Sequence, residues 1–206
     1  LYVIAEVGIN HNGDPELAKE LIDVAVEAKA DAVKFQKRDL PSLYPTEMLM
    51  ETDKYEQYFQ YMIPILQNVE LSCQDLTELK EYAITQGLEF LCTPFDIPSV
   101  DLLAELGVNA FKIASADLTN LGLLEYVASF GKPMLVSTGM SYWEEIRKAA
   151  GLMKRKGVPF ALLHCRSVYP VWPREVNLRM INRLREFGCP VGYSGHDIGI
   201  TIPLVA

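Results

Sequence analysis

Polar side chains interrupt or follow short apolar runs of the chain, and two of them are lysines. Lys34 lies within Val33-Lys34-Phe35 and Lys112 within Phe111-Lys112-Ile113. A lysine that points inward from such a run needs an anionic partner, because an isolated buried ammonium is unfavourable. Hydroxyl groups near the ends of other runs could bind the same anion: Thr93, Ser115, Ser137, Thr138 and Ser194. The pattern predicts a binding site for a phosphate or a carboxylate.

Each of these residues also has a purely structural interpretation. A serine or threonine at the end of a strand often caps the next helix, and a lysine can extend its ammonium to the surface. Two such lysines accompanied by several hydroxyls favour the anion site over these alternatives.

Carboxylates and histidines occupy similar positions. Glu6 lies in the first apolar run, Asp117 follows the run of Lys112, and either carboxylate could transfer protons. Imidazole suits manganese, iron or zinc, but one histidine is not a metal site, and no H-x-x-x-H or H-E-x-x-H pattern occurs. His196 alone is therefore better explained as a hydrogen-bonded core histidine, and His164 is ambiguous.

The apolar runs have strand length and are continuous rather than alternating, which is typical of strands covered on both sides. They predict seven strands, over residues 2–8, 32–36, 88–93, 110–115, 133–138, 159–165 and 190–194.

Amphipathic segments between these runs predict helices. Asp14-Pro15 is a favourable helix start, and Ser141-x-x-Glu144 matches a capping box. Two predicted apolar faces consist of Leu17, Leu21, Val24 and Ala28, and of Ile146, Ala149, Ala150 and Met153. Gly-x-Pro sequences end three helices and open the next strands, at Gly131, Gly157 and Gly188.

Strands that alternate with helices indicate an α/β fold with a parallel sheet. A doubly wound sheet is disfavoured because Gly8-Ile-Asn-His-Asn-Gly13 is not G-x-G-x-x-G. A (β/α)8 TIM barrel of typical size, ~250 residues, fits better, and 206 residues cover about seven β/α units without the last strand. We expect one catalytic domain over 1–206, with an elaborated loop over 37–72 that contains Pro41, Pro45, Tyr55, Tyr58, Phe59 and Tyr61.

Composition excludes some classes of protein. The net charge of −8 argues against a nucleic-acid partner. No apolar run approaches the ~18 residues of a membrane span, and no signal-peptide pattern opens the chain. The four cysteines form no C-x-x-C pair, which indicates reduced thiols and a cytoplasmic location. At this level the sequence predicts a barrel enzyme for an anionic small molecule.

In combination, the strand ends resemble the N-acetylneuraminate (sialic acid) synthase family. The matching stretches follow in order over nearly the whole chain: AEVGINHNG (5–13), VKFQ (33–36), CTPF (92–95), FKIAS (111–115), ASFGKP (128–133), STGM (137–140), LHC (163–165), YP (169–170) and GYSGH (192–196).

The resemblance implies condensation of phosphoenolpyruvate with an N-acetylated amino-sugar aldehyde such as N-acetylmannosamine. The product is a nine-carbon 2-keto sugar acid of the sialic acid type, and phosphate leaves by C–O cleavage. A divalent metal, manganese or else magnesium, polarises the aldehyde. Family members are homodimers. The family's second metal-binding histidine and its antifreeze-like domain have no match in this chain, so we expect a C-terminally incomplete barrel.

The resemblance also assigns roles to residues. It implies a phosphoenolpyruvate site of Lys34, Thr93, Lys112, Ser115, Ser137 and Ser194. It implies a sugar site of Gln36, Phe95 and Tyr169, catalytic carboxylates at Glu6 and Asp117, and a metal ligand at His196.

Three positions depart from the family pattern. Asp117 replaces a glutamate, Ser167 an asparagine, and Gly195 the aspartate of a Ser-Asp-His sequence. They suggest a relative that uses a different amino sugar, of the legionaminic, pseudaminic or spore-coat type. Asp117 and the missing second histidine also leave open a catalytically impaired barrel that binds metabolites. Another phosphoenolpyruvate-dependent aldol-type synthase is less favoured, because of the Lys-x-x-Ser and Ser-Thr-Gly-Met stretches.

Overall fold

The computed structural model describes residues 1–50 and 62–206. The chain forms two compact units, Leu1–Asn109 and Ala110–Ala206. Part of the predicted loop, with Tyr55, Tyr58, Phe59 and Tyr61, lies outside the described residues.

The first unit contains three parallel strands, β1 (Ile4–Gly8), β2 (Ala32–Lys37) and β3 (Glu89–Pro94), with β2 paired to both others. The predicted loop after β2 is largely helical in its described parts. The helices of this unit are α1 (Pro15–Glu27), α2 (Leu40–Leu43), α3 (Thr46–Met50), α4 (Met62–Val69), α5 (Cys73–Thr85) and α6 (Ile97–Glu105).

The second unit continues the alternation. Its strands pair in parallel and in chain order: β4 (Phe111–Ile113), β5 (Met134–Ser137), β6 (Phe160–Cys165) and β7 (Val191–Ser194). Its helices are α7 (Leu121–Ser129), α8 (Trp143–Lys156), α9 (Arg179–Leu184) and α10 (Thr201–Val205). Short 3-10 turns cover Ser115–Asp117, Pro173–Glu175 and Arg185–Phe187.

All seven predicted strands are confirmed, with no end displaced by more than two residues. Their apolar side chains form the core of each unit, with Phe35 and Phe90 fully buried in the first and Phe111 and Ile113 in the second. Strand β7 is less enclosed, since all four of its residues are half-buried. The fold is therefore α/β with parallel strands, as the continuous apolar runs predict.

The helix starts were predicted with mixed success. The Asp14 carboxylate accepts hydrogen bonds from the backbone of Glu16 and Leu17, which confirms the start of α1. The predicted capping box at Ser141 and Glu144 is wrong by one residue. Helix α8 begins one residue later, so the Glu145 carboxylate accepts from the Tyr142 N–H at 2.6 Å, while the Ser141 hydroxyl donates to the Gly139 carbonyl.

The buried face of α1 was also predicted wrongly. Ala18, Ile22 and Ala25 are buried, whereas Val24 is 60% exposed. The buried stripe lies one position along from the predicted one, and it consists of Ile22 and two alanines. The predicted face of α8 is confirmed, since Ile146, Ala149, Ala150 and Met153 are all buried.

Two further findings concern the cysteines and the lengths of the helices. All four cysteines carry free thiols, and Cys92 and Cys165 are buried. Within residues 1–50 and 62–206, no helix combines the length and apolarity that a membrane span requires.

The rotated face of α1 can be tested by core truncation. We expect Ile22→Ala to lower the free energy of unfolding by about 2–5 kcal/mol, because it leaves a cavity in a fully buried site. Val24→Ala is the matched control and should change it by no more than about 0.5 kcal/mol. Urea unfolding measures both, and a larger loss for Val24→Ala would contradict the buried face described here.

Candidate active site

In the first unit, Lys34 connects two of the predicted site residues. Its ammonium lies 2.6 Å from a carboxylate oxygen of Glu6 and donates to the Thr93 hydroxyl at 3.1 Å. The register of the sheet explains the ion pair, because Glu6 and Lys34 are paired residues of β1 and β2. Lys34 and Thr93 are buried, whereas the Glu6 side chain is 49% exposed. The ammonium therefore belongs to the interior, while the carboxylate remains accessible to a substrate or to water.

The predicted sugar-site residues Gln36 and Phe95 are connected by an arginine that sequence reasoning missed. The Arg38 guanidinium donates to the Gln36 side-chain oxygen at 2.8 Å and lies 3.7 Å from the centre of the Phe95 ring. Side chains alternate between the two faces of a strand, so the spacing of Lys34, Gln36 and Arg38 was an available signal.

In the second unit, Lys112 repeats the lysine–hydroxyl pairing. It is buried, and its ammonium donates to the Ser137 hydroxyl at 2.6 Å and to the Ile113 carbonyl at 2.9 Å. Asp117 ends the 3-10 turn that begins at Ser115 and is half-buried, with its Oδ2 atom shielded from solvent. Strand β4 therefore positions a cation, a hydroxyl and a carboxylate within a few residues.

Gly139 fits tightly between two serines. The Ser115 hydroxyl accepts a hydrogen bond from the Gly139 N–H at 3.1 Å. A Cβ atom at Gly139 would lie 2.8 Å from the Ser115 Oγ and 2.5 Å from the Ser167 Oγ. Ser167, one of the departures from the family pattern, is thus a neighbour of Ser115 across this glycine.

His196 is held by the segment that follows β6. Its Nδ1 atom lies 3.0 Å from the Arg166 carbonyl oxygen and 3.9 Å from the Cys165 sulfur. Its ring packs against Tyr169 at an interplanar angle of 33°, with 3.8 Å between centroids. Burial acts to raise the pKa of the Cys165 thiol, but hydrogen bonds from His196, Ser115 and Ser167 outweigh burial and lower it below its ordinary value.

Ser194 ends β7 opposite Cys165. Next to it, the Tyr193 hydroxyl donates to both carboxylate oxygens of Asp197, at 2.9 and 2.8 Å. Burial, followed by this hydrogen bond, raises the pKa of Tyr193, so the phenol stays protonated. A Cβ atom at Gly195 would lie 2.5 Å from both Asp197 and the Tyr193 ring. Glycine at this departure from the family pattern therefore makes room for the Tyr193–Asp197 contact.

The residues around His196 only partly fit a divalent metal. Its Nδ1 faces a carbonyl oxygen and so carries the ring proton, which places the basic lone pair on Nε2, the arrangement common for ligating histidines. However, no group of three or more histidine, cysteine, aspartate or glutamate residues suited to a metal occurs in the part of the chain that the structure describes. These residues by themselves do not complete a donor set.

The two remaining histidines are structural. His164 is buried, and its Nε2 lies 2.6 Å from the Val176 carbonyl oxygen. His11 is buried against Phe35, and its Nδ1 accepts a hydrogen bond from the Gly13 N–H at 3.1 Å. Burial lowers the pKa of His11, against an opposing hydrogen bond with the backbone of Gly8. His11 is therefore neutral at pH 7.

Residues 21–206 match the model of the NeuB family. The chain belongs to the NeuB family. This confirms the resemblance of its strand ends to that family.

The matches to individual relatives cover the whole chain. It is 44% identical to an uncharacterized protein of Methanocaldococcus jannaschii and 41% identical to the N,N'-diacetyllegionaminic acid synthase of Legionella pneumophila. Both matches cover 100% of this chain but only 58% and 60% of those proteins, so the chain spans about three fifths of their length.

A solved structure is similar over the same extent. The N-acetylneuraminic acid (sialic acid) synthetase of Leptospira borgpetersenii, in complex with citrate, is 36% identical with a TM-score of 0.87 and covers 100% of this chain and 69% of its own. The seven parallel strands and their helices are thus consistent with a TIM-barrel-like fold.

The contact around Gly139 predicts a steric penalty. We expect Gly139→Ala to lower the free energy of unfolding by about 1–3 kcal/mol, because the new methyl group must displace the Ser115 or Ser167 hydroxyl. In Gly122→Ala the nearest atom lies 3.7 Å from the added carbon, within helix α7, so this control should be neutral or stabilising. Chemical denaturation measures the free energy of unfolding of both variants. Equal stability of Gly139→Ala and the wild type would contradict the close contact of Gly139 with the two serines.

The neutral state of His11 predicts a pH dependence. Because the pKa of His11 is lowered in the folded state, the unfolded chain binds the proton first as the pH falls. His11 therefore contributes stability that is present above about pH 6.5 and is lost as the pH falls below it. We expect His11→Gln to unfold with a flatter dependence than the wild type between pH 7.5 and 5.5. Parallel curves from thermal melts in that range would contradict the assignment.

Proposed function

We propose that the chain is the catalytic part of a synthase that condenses phosphoenolpyruvate with an N-acetylated amino-sugar aldehyde, similar to N-acetylmannosamine. The product would be a nine-carbon 2-keto sugar acid, with release of inorganic phosphate. Membership of the NeuB family and the names of its relatives support this class of reaction. The two named synthases make different sugar acids by name, so the amino sugar is proposed as a class.

The observation that carries this proposal is the pairing of buried lysines with hydroxyls. Lys34 donates to Thr93 and Lys112 to Ser137, and each lysine is buried at a strand. A buried ammonium is stabilised by an anion, and phosphoenolpyruvate carries both a phosphate and a carboxylate. We assign binding of phosphoenolpyruvate to the residues that the resemblance implies: Lys34, Thr93, Lys112, Ser115, Ser137 and Ser194.

The carboxylates provide the proton transfers that such a reaction needs. Carbon 3 of phosphoenolpyruvate attacks the aldehyde, the new alkoxide takes up a proton, water adds at carbon 2, and phosphate leaves by C–O cleavage. Glu6 is accessible and adjacent to the Lys34 ammonium, so it can accept a proton from that water. Asp117 is the other carboxylate proposed for these proton transfers, and the division of roles between the two is left open.

Further parts of the proposal follow from the resemblance. A divalent metal, manganese or magnesium, would polarise the sugar aldehyde when bound, with His196 as one ligand. Gln36, Phe95 and Tyr169 would contact the amino sugar. An eight-stranded barrel, a homodimer and a cytoplasmic location complete the proposal.

Phosphate release tests the proposal on the full-length protein. Phosphoenolpyruvate, Mn²⁺ and a panel of N-acetylated hexosamines supply the substrates. We expect Lys112→Met to lower kcat/KM at least about 100-fold, because it removes a buried cation that binds the anion. Lys148→Met, on the exposed side of α8, is the matched control and should stay within about twofold of the wild type.

The same assay distinguishes the alternatives. Phosphate release from no member of the panel would contradict the synthase. Binding of phosphoenolpyruvate in calorimetry without any turnover would instead support the catalytically impaired, metabolite-binding barrel.

A further inference from the structure

Arg38 follows β2 and contacts two predicted sugar-site residues. One end of its guanidinium donates to the Gln36 side-chain oxygen at 2.8 Å, and its plane lies 3.7 Å from the centre of the Phe95 ring. The Arg38 side chain is only 12% exposed. Little of it is therefore open to a ligand, and its contacts point to an effect on its neighbours.

Glu70 contacts Arg38 both at its backbone and, at longer range, at its guanidinium. Its carboxylate lies 4.0 Å from the guanidinium and accepts a hydrogen bond from the Arg38 backbone N–H at 3.4 Å. The same carboxylate lies 3.1 Å from the Lys37 ammonium, which also donates to the Leu71 carbonyl at 2.9 Å. The side chains of Lys37 and Glu70 are both largely buried, so their ion pair attaches the end of β2 to the segment before α5. The guanidinium of Arg38, the next residue, therefore has little freedom.

The hydrogen bond from Arg38 also determines how the Gln36 amide is oriented. A guanidinium has donors and no acceptor, so the amide must turn its oxygen toward Arg38. The amide nitrogen then faces Gly8, where a Cβ atom would lie 3.6 Å from the Gln36 nitrogen and 3.1 Å from a Glu6 carboxylate oxygen. Gln36 thus presents its N–H donors near the accessible carboxylate of Glu6.

We propose that Arg38 is a specificity-determining positioning residue, which acts by fixing Gln36 as a hydrogen-bond donor. The inference rests on the proposed function and specifies its sugar site. That site would select an amino sugar with an acceptor oxygen, a carbonyl or a hydroxyl, at the position facing Gln36. Without Arg38 the Gln36 amide can rotate and present either its oxygen or its nitrogen to the sugar, and the preference for a sugar with an acceptor oxygen is lost.

Steady-state kinetics of the full-length protein test this role, with the amino sugar of the panel that gives the fastest phosphate release. We expect Arg38→Ala to raise KM for the sugar about tenfold, the equivalent of one oriented hydrogen bond, while KM for phosphoenolpyruvate stays within about twofold. Arg38→Lys keeps the charge but not the planar fork, and we expect a smaller increase for the sugar alone. Arg147→Ala, an exposed arginine of α8, is the matched control.

A double variant separates action through Gln36 from direct binding. If Arg38 acts through Gln36, then Gln36→Ala with Arg38→Ala raises KM for the sugar no further than Gln36→Ala alone. If the two substitutions raise KM for the sugar additively, the inference is overturned. It is also overturned if Arg38→Ala and Arg38→Lys raise KM equally for the sugar and for phosphoenolpyruvate, because that result indicates a general structural role. Normal kinetics of Arg38→Ala in an active protein overturn this inference alone. No phosphate release by the wild type overturns the proposed function, and this inference with it.

Discussion

The interaction on which the rest of the site depends is the burial of two lysines at the strands of parallel sheets. A buried ammonium must be surrounded by oxygen atoms, and the chain supplies them from adjacent strands: Glu6 and Thr93 for Lys34, Ser137 for Lys112. Such positions are unfavourable in a core built only for stability. They become useful when the charge binds an anion, which is the chemistry that phosphoenolpyruvate requires.

This constraint extends into the surrounding structure. The pairing of Glu6 with Lys34 depends on the register of β1 against β2, and therefore on the apolar side chains that align those strands. In the second unit, Gly139 permits Ser115 and Ser167 to approach each other. At Gly195 the missing side chain permits Tyr193 to bond Asp197. Two of the departures from the family pattern, Ser167 and Gly195, thus lie in closely packed contacts beside residues that match the pattern.

Much of this could be predicted from the sequence, because continuous apolar runs define strands and strand ends define the positions of polar residues. All the strands follow from that pattern, and so do the positions of both lysines and of the hydroxyls, but not which hydroxyl each lysine contacts. The buried face of α1 was not predicted, since two of its three buried residues are alanines, which give a weaker apolar signal than the leucines and the valine of the neighbouring face. Arg38 was missed because an arginine beside a strand end resembles a solvated charge until its contacts with Gln36, Glu70 and Phe95 are visible. The metal site was predicted only through the resemblance, and the described residues do not complete it.

If the proposed function is correct, the buried lysines bind the anionic substrate. Isothermal titration calorimetry of phosphoenolpyruvate into the full-length protein, without sugar, measures that binding. We expect one binding event per chain, weakened at least about tenfold in Lys34→Met and in Lys112→Met, and weakened by added salt less than an exposed ion pair would be. Unchanged affinity in both variants, with their folding intact by circular dichroism, would contradict it.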